Sequence, residues 1–130
     1  MKTLIKVKLS DVVNSTETFN KIMQQSFKGS LAFKIARLVR ELEKEMQTYN
    51  EERIKIIKKY GKKDENGELI TDENGNVSFE TDKIEEINGE FQSLLETELE
   101  INADKLPMDS IDEFKLTPQQ MLEIEMFFEE

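Results

Sequence analysis

The sequence contains no cysteine and no histidine. Without cysteine there can be no disulfide, no thiolate nucleophile and no zinc–sulfur site. Without histidine the chain lacks the usual proton shuttle near neutral pH and a very common transition-metal ligand, so most hydrolase triads and metallo-hydrolase centres cannot be built. Long apolar runs are missing as well. The opening MKTLIKVKLS alternates apolar and polar residues, so it reads as neither a signal peptide nor a membrane span, and a cytoplasmic protein is expected.

What is present is charge. The 130 residues carry 18 Lys+Arg against 28 Asp+Glu, a formal net charge of −10. A chain so acidic has no long-range attraction for a phosphate backbone or an anionic bilayer, which argues against direct nucleic-acid binding and against a membrane partner. With 37% hydrophobic and 35% charged residues, a modest core under long solvated helical faces fits best.

Residues 4–9 alternate, with Ile5, Val7 and Leu9 on one side and Lys6 and Lys8 on the other, the period of a half-buried strand. Ser10 or Asp11 then caps a helix near 11–26, whose apolar set Val12, Val13, Thr16, Phe19, Ile22 and Met23 recurs at steps of three and four. Gly29 offers a left-handed break and Ser30 the next cap. Residues 31–60 contain neither Gly nor Pro and predict one helix, roughly 45 Å long. Leu31, Ile35, Leu38, Leu42, Met46 and Tyr49 form its stripe, continued by Ile56 and Tyr60. The pattern thins past Tyr49, so the second half should pack against only one other element.

An internal echo follows: Asp64-Glu65-Asn66-Gly67 and Asp72-Glu73-Asn74-Gly75 repeat the same four residues eight positions apart. Both are turn signals, and a hairpin over about 68–80 is expected to close on the second Asn-Gly. The alternating oxygens of Asp72, Asn74, Asn76 and Ser78 resemble the start of a calcium loop, but Val77 and Lys83 stand where an EF-hand needs Gly and Glu. Asp82 caps a helix over 82–96 carrying Ile84, Ile87, Phe91, Leu94 and Leu95. Leu99 and Ile101 then alternate with Glu98 and Glu100, which predicts a strand over 97–102 paired with 4–9, burying Leu99 and Ile101 with Val7 and Leu9 and setting Glu98 and Glu100 near Lys6 and Lys8. Residues 105–115 are irregular around Ile111 and Phe114. Thr117-Pro118-Gln119-Gln120 combines a cap, proline at the first helical position and a capping-box Gln, opening a last helix over 117–128.

The expected fold is therefore α+β and mainly helical. One long helix (31–60) packs with helices near 11–26, 82–96 and 117–128, alongside a small β-hairpin (68–80) and a short pairing of 4–9 with 97–102. The chain reads as one domain, 1–130, from which the 61–81 hairpin projects at the end of the long helix.

Charge is unevenly spread. Residues 1–61 hold 13 Lys+Arg and 7 Asp+Glu, net +6, whereas residues 62–130 hold 5 and 21, net −16. Either the halves neutralise each other inside the fold, or the acidic half faces a basic partner. The second reading singles out Glu85, Glu86, Glu90, Asp109, Asp112 and Glu113 as partner-binding residues. Phe127 and Phe128 join them, because apolar residues so near a terminus must either dock on the body or meet a partner. Lys34, Arg37, Arg40 and Lys44 offer a basic face, yet the aromatic interleaving of a single-strand binder is missing. Paired carboxylates such as Glu51-Glu52 and Glu85-Glu86 sit in mixed Glu/Lys runs, which read as solvated faces; no metal site, cofactor or catalytic residue is expected.

Taken in order, Val7-Lys8-Leu9-Ser10, Leu31-Ala32-Phe33-Lys34-Ile35-Ala36, Lys59-Tyr60-Gly61 with Asp64-Glu65-Asn66-Gly67, Glu98-Leu99-Glu100-Ile101 and Leu116-Thr117-Pro118 resemble a family of small uncharacterised proteins from phages and prophages of Gram-positive bacteria. The resemblance spans nearly the whole chain and contains no catalytic motif. It implies a viral protein of the host cytoplasm, without bringing site residues. The expected function is a non-enzymatic factor that binds a host or phage protein through its acidic half. The alternatives are a virion-assembly factor (a tail or capsid chaperone, with self-association left open) and a Mg-dependent helical nucleotide hydrolase. Helix, hairpin, helix is also the plan of a prefoldin-type subunit, but the two arms here are unequal.

Overall fold

Alternation at the start of the chain makes a strand that runs directly into a helix. In the computed structural model, which describes residues 4–130, β1 (Ile5–Lys8) pairs antiparallel with β2 (Glu98–Ile101). Residues 1–3 of the expected domain lie outside the described residues. The register sets Ile5 against Ile101, Lys6 against Glu100, Val7 against Leu99 and Lys8 against Glu98. Ile5, Val7 and Ile101 are buried while the lysines and glutamates face out, so the anticipated opposition of charges on the sheet is present.

Leu9 departs from the expected strand. It opens α1 (Leu9–Ile22), although its N–H still donates to Thr97 O at 2.8 Å and prolongs the ladder by one rung. Asp11 caps the helix from within its first turn by accepting the Lys8 N–H at 2.9 Å; Ser10 lies inside the helix and is not its cap. The helix stops four residues short of the expected 26. Gln24 and Gln25 donate to Lys21 O and Ile22 O, and these i→i+3 bonds tighten the end into turns.

Gly29, at φ 54°, makes the left-handed turn that opens α2 (Gly29–Tyr60), so Ser30 sits inside the helix. The chain groups into two compact units, one formed by residues up to Met46 together with Thr97–Glu130, the other by Gln47–Glu96. The second unit takes in the C-terminal part of α2, the turns and the helix after them.

In the first unit, Leu31, Ile35, Leu38, Val39 and Leu42 of α2 are buried, as are Leu9, Val12, Phe19 and Ile22 of α1. After β2, a 3-10 helix (Met108–Glu113), a short helix α4 (Pro118–Ile124; α3, Ile84–Leu95, belongs to the second unit) and a terminal 3-10 turn (Glu125–Phe127) complete it. Thr117 caps α4 as expected, its Oγ1 accepting from Gln120 N at 3.2 Å and Gln120 Oε1 accepting from Thr117 N at 2.9 Å. The expected 117–128 helix is cut short by the 3-10 turn. That tightening swings the last residues into a bridge with Leu106, in which Leu106 N donates to Phe127 O and Glu129 N to Leu106 O, both at 2.8 Å. Phe127 packs edge-on against Phe19 (5.4 Å between ring centres), and Phe128 against Phe114 (5.3 Å), which also meets Phe27 at 5.0 Å.

In the second unit no residue of α2 is fully buried; Tyr49, Ile56, Ile57 and Tyr60 are half-buried. A 3-10 turn (Thr81–Lys83) leads into α3 (Ile84–Leu95), which starts two residues after the expected Asp82 cap; Ile87 is the buried residue of this helix. The two Asp-Glu-Asn-Gly segments form matching turns. Asp64 N–H donates to Glu68 O and Asp72 N–H to Asn76 O, each at 2.8 Å, and Gly67 and Gly75 share φ 81°. Each Asp Oδ1 accepts two backbone N–H groups, those of Asn66 and Glu68 in the first turn and of Asn74 and Asn76 in the second.

The expected hairpin across the second turn forms, bridging Thr71 and Val77, but it belongs to a three-way ring. The other bridges are Lys63 to Leu69 and Gly61 to Phe79. Lys62 N donates to Ser78 O, Ser78 N to Ile70 O and Ile70 N to Lys62 O, at 2.8, 2.9 and 2.8 Å, so the three residues close a hydrogen-bonded triangle at eight-residue intervals.

Candidate partner-binding surface

Two short elements carry the acidic candidates. Glu85 and Glu86 lie exposed in the first turn of α3, where carboxylates complement the positive end of the helix dipole. Lys83 stands 3.9 Å from Glu86, a loose pair. Glu90, one turn further on, is different. Lys59 Nζ donates to its Oε1 at 3.1 Å, and this bond, with the Tyr60 hydroxyl beside it, holds the Glu90 carboxyl below the ordinary carboxylate range. The same bond raises the Lys59 ammonium above its usual value, with Tyr60 adding to it. Glu90 Oε1 is therefore engaged inside its own unit, while its Oε2 is buried without a hydrogen-bond partner.

Asp109, Asp112 and Glu113 fall on the 3-10 helix Met108–Glu113 of the first unit, all exposed. A three-residue period sets Asp109 and Asp112 one above the other. Between them Ser110 turns inward, its hydroxyl donating to Pro107 O, and fixes the turn beneath the acids. Glu85 and Glu86 thus sit together in one unit, and Asp109, Asp112 and Glu113 sit together in the other.

Phe127 and Phe128 do not belong to any surface. Their relative exposures are 0% and 2%, because the bridge to Leu106 turns both rings into the aromatic cluster. Of the two readings the sequence allows for them, docking on the body is the one adopted, and they are removed from the partner-binding set.

Of the ion pairs Lys44–Glu41, Lys55–Glu52, Lys59–Glu90 and Lys83–Glu86, only Lys59–Glu90 joins the basic half of the sequence to the acidic half. On the sheet, Lys6, Lys8, Glu98 and Glu100 surround an open depression of about 730 Å³ whose charges alternate in sign, which suits no ligand of a single sign. Among the described residues no group of three or more Asp and Glu is placed to hold a metal ion. No described helix is long and apolar enough to cross a membrane.

Sequence reasoning missed one aromatic residue. Phe33 is 70% exposed on α2 beside Lys34 and Arg37, at a hollow that Ser30 and Asp104 complete. Its place between Ala32 and Lys34, off the Leu31–Ile35–Leu38 stripe, was the available signal. No protein-family model, curated protein or solved structure matches this chain.

Proposed function

We propose that this is a phage-encoded factor that works by contact, binding a basic host or phage protein through exposed acidic side chains. The observation that carries this reading is the exposed group Asp109, Asp112 and Glu113, held on a 3-10 turn that the buried Ser110 anchors. A fixed acidic edge of this kind steers a basic partner and sets its register more than it adds raw affinity. The test is affinity capture from infected host cells with identification of the recovered protein. The expected partner is basic, its recovery falls as salt is raised, and it is lost in D109K/D112K/E113K while an E85K/E86K variant reports the contribution of α3. Full retention by both variants would sink the proposal.

A second reading has one observation in its favour. Phe33 stands 70% exposed on α2, the most exposed of the large apolar side chains described. In a virion-assembly factor that helix would be the contact surface. Light scattering on the purified protein, and binding to phage tail and capsid proteins, separate the two readings, since F33S would abolish association only in the second.

A further inference from the structure

We propose that a lysine-lined hollow at the end of α2 is a binding site for a small phosphate-bearing anion. The hollow encloses about 330 Å³ and is lined by Lys59, Tyr60, Gly61, Lys62, Lys63, Glu80 and Lys83, all within the second unit. Four lysines line it in a protein whose net charge is −10; Lys59 is paired with Glu90 and Lys83 loosely with Glu86, which leaves Lys62 and Lys63 as its exposed cations.

The local sequence is as biased as the geometry. Residues 53–63 contain Arg53, Lys55, Lys58, Lys59, Lys62 and Lys63 and not one carboxylate. Some of that charge is answered internally, since Lys55 pairs with Glu52 and Lys59 with Glu90. A pair of lysines in the last helical turn also complements the negative end of the helix. Neither account covers Lys62 and Lys63, which lie beyond the helix and are exposed.

Their backbones are fixed all the same. Lys62 is one corner of the hydrogen-bonded triangle, and Lys63 bridges Leu69. Gly61 is seated so closely that an added Cβ would fall 2.6 Å from Leu69 Cδ2 and 2.8 Å from Ile57 O. The wall of the hollow is thus built before any ligand arrives, which lowers the ordering cost of binding. Flexible ammonium groups on fixed stems suit phosphate oxygens, which accept charge-assisted bonds from several directions.

Charge further out selects for size. Residues 64–96 hold eleven Asp+Glu and one Lys. Glu80 on the wall, with Glu90 and Glu86 against Lys59 and Lys83, offsets part of the lysine charge, so the attraction falls mainly to Lys62 and Lys63; with screening acting over about 8 Å at physiological ionic strength, an extended polyanion would meet more of the surrounding carboxylates than a small anion does. A free polyphosphate fits this arrangement, and a nucleic-acid backbone does not.

The experiment uses the full chain and sodium tripolyphosphate, with a nucleoside triphosphate, a single-stranded oligonucleotide and poly-aspartate as further arms. In amide-correlation NMR, tripolyphosphate should shift residues 59–63 and Lys83, and the nucleoside triphosphate should do the same. Calorimetry should show K62Q/K63Q weakening binding by about tenfold or more, as loss of two charge-assisted contacts implies. E80Q should tighten it, and K34Q/R37Q should leave it unchanged. Absence of shifts in the wild-type protein overturns the site whether or not a variant folds. Tighter binding of the oligonucleotide overturns the small-ligand reading, and equal binding of poly-aspartate overturns the choice of phosphate.

Discussion

Lys59 and Glu90 are 31 positions apart in sequence, and a 3.1 Å hydrogen bond between them ties the last turn of α2 to α3. Each partner favours the other's charged form, so the bond has a defined pH window. Glu90 titrates below its ordinary 4.5, and its stabilising contribution is complete above that value and lost as pH falls through the folded midpoint. Lys59 titrates above its ordinary 10.5, and its contribution is complete below that value and lost as pH rises through the folded midpoint. Carboxyl-detected NMR should place the Glu90 midpoint below its ordinary 4.5. In E90Q the Lys59 midpoint should fall back, and raising salt should narrow the difference in the wild type.

Gly61 has an ordinary backbone conformation, so its requirement is space. G61A should cost about 1–3 kcal/mol, the range for overpacking a fitted site, because Leu69, Val77 and the Ile57 carbonyl all lie under 3.0 Å from the new carbon. Urea denaturation followed at the second unit would check it; an unchanged midpoint would mean that the ring yields.

Phe127 and Leu122 make a matched pair for the terminal helix. F127A removes a fully buried ring and should cost about 3–5 kcal/mol, whereas L122A, at a 58% exposed position, should stay within about 0.5 kcal/mol. Thermal melts of the two variants give the comparison directly, and equal losses would contradict the packing described.

The two Asp-x-Asn-Gly turns should behave as equivalents. D64A and D72A each remove an acceptor of two backbone N–H groups, exposed to water, so each should cost about 1 kcal/mol. Hydrogen exchange at Asn66, Glu68, Asn74 and Asn76 would report the loss turn by turn. If one variant were silent and the other severe, the turns would differ in a way their geometry does not contain.

Much of this architecture was readable from the chain. Thirty residues without Gly or Pro, with a stripe from Leu31 to Leu42, define a helix whatever surrounds them. The alternation in Ile5–Lys8 and Glu98–Ile101 fixed both the pairing and the face, since a slip of one residue would bury lysines. Other features depend on what meets what in three dimensions. Leu9 satisfies a strand and a helix equally, and its bond to Thr97 decides nothing that sequence can express. The inward turn of Phe127 and Phe128 depends on the bridge to Leu106, some twenty residues upstream, for which no local pattern exists. The octad repeat was visible, but its third corner at Lys62 was not, because that segment lacks the Asp-Asn-Gly signature. The lysine hollow escaped for a related reason: Lys83 comes from beyond the turns, and halving the sequence at residue 61 divided the basic run that supplies the rest.

The division of the chain has a consequence for how it acquires its structure. Gln47–Glu96 is one continuous stretch, while the other unit must assemble from segments on either side of it. Ordering that stretch shortens the flexible loop that separates β1 from β2 in the unfolded chain. Joining β1 to β2 then costs less chain entropy than it would in a fully unfolded polypeptide. The triangle of Lys62, Ile70 and Ser78 joins neighbours eight residues apart, contacts local enough to form fast, so slowing its formation should slow the sheet as well.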